Sequence, residues 1–100
     1  MIGIIGGTGF YNVDLFGKSE QAEIKTAYGD VTMLKGSFAG REVYFLPRHG
    51  FTHGRLAYQV THHANIEAFR RLGVKRILAT VAAGGISEKC NAGDLVLLDQ

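Results

Sequence analysis

The segment Met1-Ile2-Gly3-Ile4-Ile5-Gly6-Gly7-Thr8-Gly9 decides the fold class, because in it an apolar run passes directly into a glycine-rich turn. A short apolar run that meets such a turn is typical of a buried strand. Glycines suit the turn because they adopt backbone conformations that other residues avoid. Residues 1–5 are therefore predicted to form a central strand that ends in a tight turn.

Three shorter runs between residues 20 and 46 predict a meander of antiparallel strands. The runs are residues 22–26, 31–34 and 41–46. Asp30 and Gly40 stand between them, where turns need residues that tolerate a tight backbone, so hairpins are favoured over crossovers. Pro47 ends the third run, since proline lacks the N–H that a strand ladder needs.

The second half of the chain predicts one helix and two strands. Between residues 57 and 72, apolar residues recur at four-residue steps, namely Val60, Ala64, Ala68 and Leu72. Gly73 then stands where helices commonly end. Residues 75–81 predict a buried strand, and residues 95–99 predict a last strand after a turn at residues 91–94. A helix that feeds a strand in this way indicates the α/β class.

Composition excludes several classes of function. The 100 residues are 46% hydrophobic and 20% charged, which is ordinary for one compact unit. The net charge of +2 is scattered without a run of like sign, so nucleic acid is not a predicted partner. No apolar stretch approaches the roughly 20 residues of a membrane span. No basic segment precedes the apolar start, so a secretory signal is not predicted and the cytoplasm is the expected location.

The length predicts that these residues are part of a longer unit. A chain this short buries a modest share of its surface, and a sheet covered by helices on both faces needs more material. The run at residues 94–100 also stops without a capping segment. Residues 1–100 are therefore expected to be the N-terminal part of a single domain from a truncated chain.

Three of the predicted strands end in polar or glycine-rich segments: residues 6–9, 48–50 and 82–85. In open α/β sheets ligands collect outside the carboxyl ends of strands, so the three segments are expected to face one crevice. Glycine amides and the Thr8 hydroxyl can donate hydrogen bonds to an anion there. Arg48 adds a fork of donors that suits phosphate oxygens, with His49 beside it. The sequence therefore predicts a site for a phosphate-type anion.

Plainer interpretations stay open for each segment taken alone. A tight turn that packs against a helix accounts for residues 6–9 equally well, and a surface arginine beside a loop histidine accounts for Arg48 and His49. His53 lies within reach of the same crevice. None of the four histidines is predicted to bind a metal, because no cysteine or carboxylate stands at ligand spacing.

A nucleotide-binding module of the Rossmann type is the alternative function. Residues 6–9 would then hold a pyrophosphate, and Glu23 stands near the position of the acidic residue that binds the ribose. Against this alternative, the spacing G-x-G-x-x-G is absent and no strong helix opens directly after the glycines.

Several blocks stand in a fixed order along the chain: residues 4–9, Pro47-Arg48-His49-Gly50 with His53, Asn65, residues 82–86 and residues 93–96. This ordered set resembles the methylthioadenosine phosphorylase and purine nucleoside phosphorylase family over nearly all of the 100 residues. The resemblance implies a phosphorylase fold, in which a mixed β-sheet is partly closed into a barrel and flanked by helices.

The resemblance also implies an activity and a site. Inorganic phosphate would attack the anomeric carbon of a purine nucleoside, giving a free purine and ribose 1-phosphate or its 5-methylthio analogue, in a homotrimer or a multiple of one and without a cofactor. The phosphate ligands carried over from the family are Thr8, Arg48, His49, Val81 and Ala82. The residues carried over to the purine side are Ala83 and Gly84.

Two departures from the family bear on the phosphate site and on the proton donor. The family commonly has Thr or Asn where Val81 stands, so a phosphate bond at this position must come from the backbone. In the family an aspartate far downstream protonates the leaving purine, and neither Asp94 nor Asp99 sits in a matching motif. Residues 1–100 are therefore expected to hold no catalytic acid. The choice between methylthioadenosine and 6-oxopurine nucleosides also stays open.

Overall fold

The computed structural model describes residues 1–9 and 13–100, and its elements confirm the predicted α/β class. The strands are β1 (Ile2–Gly6), β2 (Glu20–Thr26), β3 (Gly29–Phe38), β4 (Arg41–Pro47) and β5 (Ile77–Ala79), and the helix is α1 (His62–Arg71). Short 3-10 turns cover Val13–Phe16 and Ala57–Gln59. No helix in the described ranges has the length and apolar character needed to cross a membrane.

The five strands form one mixed sheet in the order β2-β3-β4-β1-β5. The predicted meander is confirmed, since β2 pairs with β3 and β3 with β4, both antiparallel. The β3–β4 connection is a two-residue turn in which Ala39 and Gly40 have φ angles of 49° and 73°. Two positive φ angles give the backbone twist that hairpins prefer.

β1 lies inside the sheet, as predicted, and runs parallel to both of its neighbours. Gly6 stands opposite Pro47 of β4, and Ile5 stands opposite Ala79 of β5. The carboxyl ends of these three strands therefore meet at one edge of the sheet. This is the edge where the candidate site lies.

Each face of the sheet carries a core cluster at β3 and β4. On one face Met33 of β3 and Tyr44 of β4 pack against Phe69 of α1. On the other face Phe45 of β4 packs against Phe16 of the first 3-10 turn, with ring centroids 5.4 Å apart. Successive side chains of a strand point to opposite faces, so β4 is buried on both sides, and its apolar run is continuous rather than alternating.

The predicted helix is wrong at its start, because α1 begins at His62 rather than near residue 57. Val60 continues the four-residue apolar spacing of the helix and is buried, but it is not helical. Its backbone is extended, with φ −68° and ψ 123°. The predicted end is confirmed. Gly73 has φ 77°, and the Val74 N–H donates to the Phe69 carbonyl at 3.0 Å, which closes the helix in a Schellman motif.

A cluster of charged side chains on α1 makes one hydrogen bond to the sheet. Arg70 and Arg71 both donate to the Glu67 carboxylate, at 2.7 and 3.0 Å, and these hydrogen bonds lower the pKa of Glu67 to about 2. Arg71 also donates to the Lys25 carbonyl of β2 at 2.9 Å. One arginine therefore links the last turn of α1 to the outer strand of the sheet.

The two predicted C-terminal strands differ from the structure. The run at residues 75–81 forms only the short strand β5, and Leu78 in its middle is 61% exposed rather than buried. Residues 95–99 form no strand. A strand needs a partner for its N–H and C=O groups. Within the described part of the chain, nothing pairs with the outer edge of β5 or with residues 95–99.

Candidate phosphate site

Hydrogen bonds join the three strand ends at the shared sheet edge. The Arg48 N–H donates to the Gly6 carbonyl at 2.9 Å, which continues the β1–β4 ladder beyond Pro47. The Gly7 N–H donates to the hydroxyl oxygen of Thr80 at 3.1 Å. The Arg48 side chain donates from Nη1 to the Thr80 carbonyl at 3.4 Å. Gly7, Arg48 and Thr80 therefore join the ends of β1, β4 and β5, whereas residues 82–85, the third segment predicted to face the crevice, take no part in these bonds.

The Arg48 guanidinium is half-buried and bonds to a neutral group. Its contact is the Thr80 carbonyl, and no carboxylate in the described ranges forms an ion pair with it. Among the described residues this contact uses one of its N–H groups, while a guanidinium offers five. A partly desolvated cation with donors to spare favours an anion as its partner.

Gly7 is required by close packing. A Cβ built on Gly7 would collide with the Thr80 carbonyl oxygen and would lie 2.6 Å from Arg48 Nη2. The Gly7 amide, however, donates to Thr80 Oγ1. The expectation that the glycine amides cradle the anion is therefore wrong for Gly7, because its N–H already has an acceptor within the protein.

His49 is held in one tautomer by the loop that follows it. Its Nδ1 lies 2.9 Å from the Arg55 carbonyl, which can only accept, so Nδ1 carries a hydrogen. The other ring nitrogen, Nε2, is the one that remains for a further partner. The centroid of the His53 ring lies 5.0 Å from that of the His49 ring, so His53 stands beside the Arg48–His49 segment.

The remaining predicted residues lie around these contacts on the surface. Thr8 follows Gly7 and is exposed, and Val81 follows Thr80 and is 60% exposed. Ala82, Ala83 and Gly84 are exposed too, in a segment without regular structure. Their neighbours in the chain place them near one sheet edge, and their roles as phosphate or purine contacts stay predictions.

A cleft of about 320 Å³ adjoins the candidate site on the side of β3. Its polar lining includes Asp30, Thr32, Arg48, His49, Arg55 and Asn65. Gly7, Thr8 and Thr80 are not part of the lining. The cleft therefore reaches the Arg48–His49 segment but not the other two strand ends, and it neighbours the candidate phosphate site without containing it.

Sequence reasoning missed Thr80, the residue that bonds to both other strand ends. The sequence pattern pointed instead to the segment that begins at Ala82, and the family resemblance pointed to Val81. The available signal was a lone hydroxyl at the end of the apolar run that forms β5.

The geometry does not support the Rossmann alternative. A dinucleotide fold places the ribose-binding acidic residue at the end of a parallel strand next to the glycine turn. Glu23 instead lies within β2, an antiparallel strand that β3 and β4 separate from β1.

Comparisons with known proteins identify the family of the chain. A family model described as "Phosphorylase superfamily" matches residues 1–100. The chain is 44% identical over 99 residues to a probable 6-oxopurine nucleoside phosphorylase of Dictyoglomus turgidum, covering 99% of this chain and 38% of the relative. It is 41% identical over 101 residues to an S-methyl-5'-thioadenosine phosphorylase of Thermofilum pendens, with the same coverage.

Solved structures give the same result. Methylthioadenosine phosphorylase from Schistosoma mansoni in complex with adenine superimposes with a TM-score of 0.84 at 37% identity, over 93% of this chain and 34% of that one. The chain thus spans about 38% of the length of the curated relatives it matches. Because the family model matches residues 1–100, and because these relatives are similar, this chain belongs to the phosphorylase superfamily.

Proposed function

We propose that the complete protein carrying these residues catalyses the phosphorolysis of a purine nucleoside. A phosphate oxygen forms a bond to the anomeric carbon while the bond from that carbon to the purine nitrogen breaks, and the purine leaves with a proton from a donor outside residues 1–100. Residues 1–100 are the N-terminal part of one phosphorylase-like domain and supply its phosphate site. Relatives named as phosphorylases of both substrate types support the reaction class.

The observation that carries the proposal is the environment of Arg48. Phosphorolysis passes through a state in which the sugar becomes positively charged while an anionic nucleophile stands beside it. That nucleophile must be held in place and partly neutralised. A half-buried guanidinium, bonded to a carbonyl and without a carboxylate partner in the described ranges, stands where three parallel strands end. This arrangement suits a phosphate and does not suit an internal ion pair.

The other predicted ligands complete the phosphate site around Arg48. Thr8 supplies a hydroxyl, and the backbone at Val81 and Ala82 supplies N–H donors. His49 supplies Nε2, because its Nδ1 is bonded to the Arg55 carbonyl. Ala83 and Gly84 line the purine side, where small side chains leave room for a flat ring.

The substrate is a methylthioadenosine or 6-oxopurine nucleoside, and relatives with each name match at similar identity. We propose no cofactor for this reaction, which rests on the family resemblance. We also propose a homotrimer, or a multiple of one, on the basis of the family resemblance, and a cytoplasmic location, because no secretory signal is predicted. Assay of the complete protein with methylthioadenosine, inosine and guanosine distinguishes the two substrate types.

Replacement of Arg48 tests the proposed site. In the complete protein, Arg48→Ala should raise the phosphate KM and lower kcat/KM for phosphate by roughly 10- to 150-fold, the effect of losing a charge-assisted hydrogen bond. Arg48→Lys should recover part of the loss through its charge but not the forked geometry. The measurement is steady-state kinetics with phosphate and nucleoside varied separately.

Arg41 is the matched control. It opens β4 at the end opposite Arg48 and is exposed, so Arg41→Ala should leave both KM values unchanged. A loss confined to the nucleoside KM in Arg48→Ala, with phosphate dependence intact, would remove Arg48 from the phosphate site.

A further inference from the structure

We infer that Thr80 is a positioning residue, which orients the Arg48 guanidinium and the glycine turn for the anion; the inference rests on the proposed function. The family resemblance gives this residue no role. Its three polar groups all bond to the other strand ends. The N–H donates to the Ile5 carbonyl at 2.9 Å, Oγ1 accepts from the Gly7 N–H, and the carbonyl accepts from Arg48.

The hydroxyl of Thr80 fixes the course of the glycine turn. Gly7 is buried directly after β1, where the strand ladder no longer supplies an acceptor for its N–H. Thr80 Oγ1 takes that place at 3.1 Å. The turn that carries Thr8 is therefore attached to the end of β5 through this side chain.

The carbonyl of Thr80 fixes the direction of Arg48. At 3.4 Å the hydrogen bond is long, so its main effect is orientation rather than binding energy. The Thr80 carbonyl oxygen and Arg48 Nη2 both lie against the bare face of Gly7, so close that Gly7 has no room for a Cβ. A long side chain held in one direction before the ligand arrives loses less conformational entropy on binding.

The Thr80 carbonyl is itself held by the sheet. The Thr80 N–H continues the β1–β5 ladder beyond Ala79, so the residue cannot turn without breaking this bond. Removing the hydroxyl frees the Gly7 end of the arrangement while leaving the backbone bonds to Ile5 and Arg48 possible. A single side-chain substitution therefore separates the positioning role from the fold of β5.

The test compares Thr80→Val, which keeps the branched shape and removes the hydroxyl, with Thr80→Ser, which keeps the hydroxyl. In the complete protein, Thr80→Val should raise the phosphate KM by about 3- to 10-fold, the effect of one neutral hydrogen bond, with the nucleoside KM within about twofold. Thr80→Ser should restore the phosphate KM. Hydrogen exchange of the Gly7 amide should quicken by a similar factor in Thr80→Val only.

Thr26→Val is the matched control, because Thr26 Oγ1 also accepts a backbone N–H, from Tyr28 at 3.1 Å, in the distant β2–β3 turn. It should lower stability without changing the phosphate KM or Gly7 exchange. If Thr80→Val unfolds, Thr80→Ala against Thr80→Ser gives the same comparison.

The outcomes separate this inference from the proposed function. If the wild-type protein cleaves no purine nucleoside, the proposed function fails, while calorimetry with inorganic phosphate and Gly7 exchange still test Thr80. Unchanged phosphate affinity and unchanged Gly7 exchange in Thr80→Val would overturn the positioning role. An equal rise of the phosphate KM in Thr80→Ser and Thr80→Val would overturn the positioning role as well, because the hydroxyl would then not be the group responsible.

Discussion

Replacing Gly7 with alanine tests how tightly the three strand ends are packed. The new methyl group would collide with the Thr80 carbonyl oxygen and stand 2.6 Å from Arg48 Nη2, far inside van der Waals contact. The carbonyl belongs to backbone that is bonded to Ile5, so it yields with difficulty. The guanidinium is the end of a flexible side chain and moves more readily. We therefore expect Arg48 to be displaced from Thr80.

Two magnitudes follow from this geometry. Overpacking of a well-filled position costs about 1–3 kcal/mol of unfolding free energy. Displacing the guanidinium weakens a charge-assisted bond to phosphate, which is worth about 1.5–3 kcal/mol, or roughly 10- to 150-fold in phosphate KM. Urea unfolding measures the first quantity, and steady-state kinetics at varied phosphate measure the second, both in the complete protein.

Gly3→Ala is the control that isolates the site from general strain. A Cβ on Gly3 would lie 2.6 Å from a ring carbon of Phe69 and 3.1 Å from a methyl of Val74, so it is as crowded as Gly7 but faces the core. Gly3→Ala should lower stability and leave the phosphate KM unchanged. The reasoning is refuted if Gly7→Ala retains wild-type phosphate KM, or if Gly3→Ala raises the phosphate KM as much as Gly7→Ala does.

Two further predictions concern the Glu67 ion pairs of α1 and the activity of residues 1–100 expressed alone. Arg70 and Arg71 lower the pKa of Glu67 from 4.5 to about 2, so its stabilising effect is complete above pH 4.5 and is lost as the pH falls through 2. Glu67→Gln should be less stable at pH 7, and its stability should fall less steeply with acid when unfolding is followed by circular dichroism. The exposed Glu88→Gln should behave like the wild type. Equal acid-unfolding curves for the wild type and both variants would contradict this prediction. Residues 1–100 expressed alone should show no phosphorolysis, since the expected proton donor lies outside them, and turnover free of contaminating enzyme would show that one of their own residues is the donor.

The sequence indicates the position of the site better than its internal contacts. Apolar runs that pass into polar or glycine-rich residues mark strand ends, and this pattern alone locates residues 6–9 and 48–50. It could not reveal that Thr80 accepts the Gly7 N–H, because a threonine at the end of an apolar run is common in strands of all kinds. Hydrogen-bond partners across the sheet depend on register, which a single sequence does not fix.

The errors in the predicted elements have the same origin. Val60 is buried whether or not it is helical, so burial periodicity extended the helix too far. Residues 95–99 have a strand-like pattern, but a strand forms only against a partner, and none is present for them in the described ranges. Local patterns report which residues are apolar, whereas element boundaries also depend on what lies next to them.

The position of β1 has a consequence for synthesis on the ribosome. β1 is made before both of its partners, Arg41–Pro47 and Ile77–Ala79. The β2–β3 and β3–β4 hairpins join neighbours in sequence and close quickly, so they can form while β1 waits without a partner. The Gly7 N–H cannot reach its acceptor, Thr80 Oγ1, until residue 80 has left the exit tunnel. We therefore expect the glycine turn, although it precedes both hairpins in the chain, to be among the last parts of residues 1–100 to take its final shape.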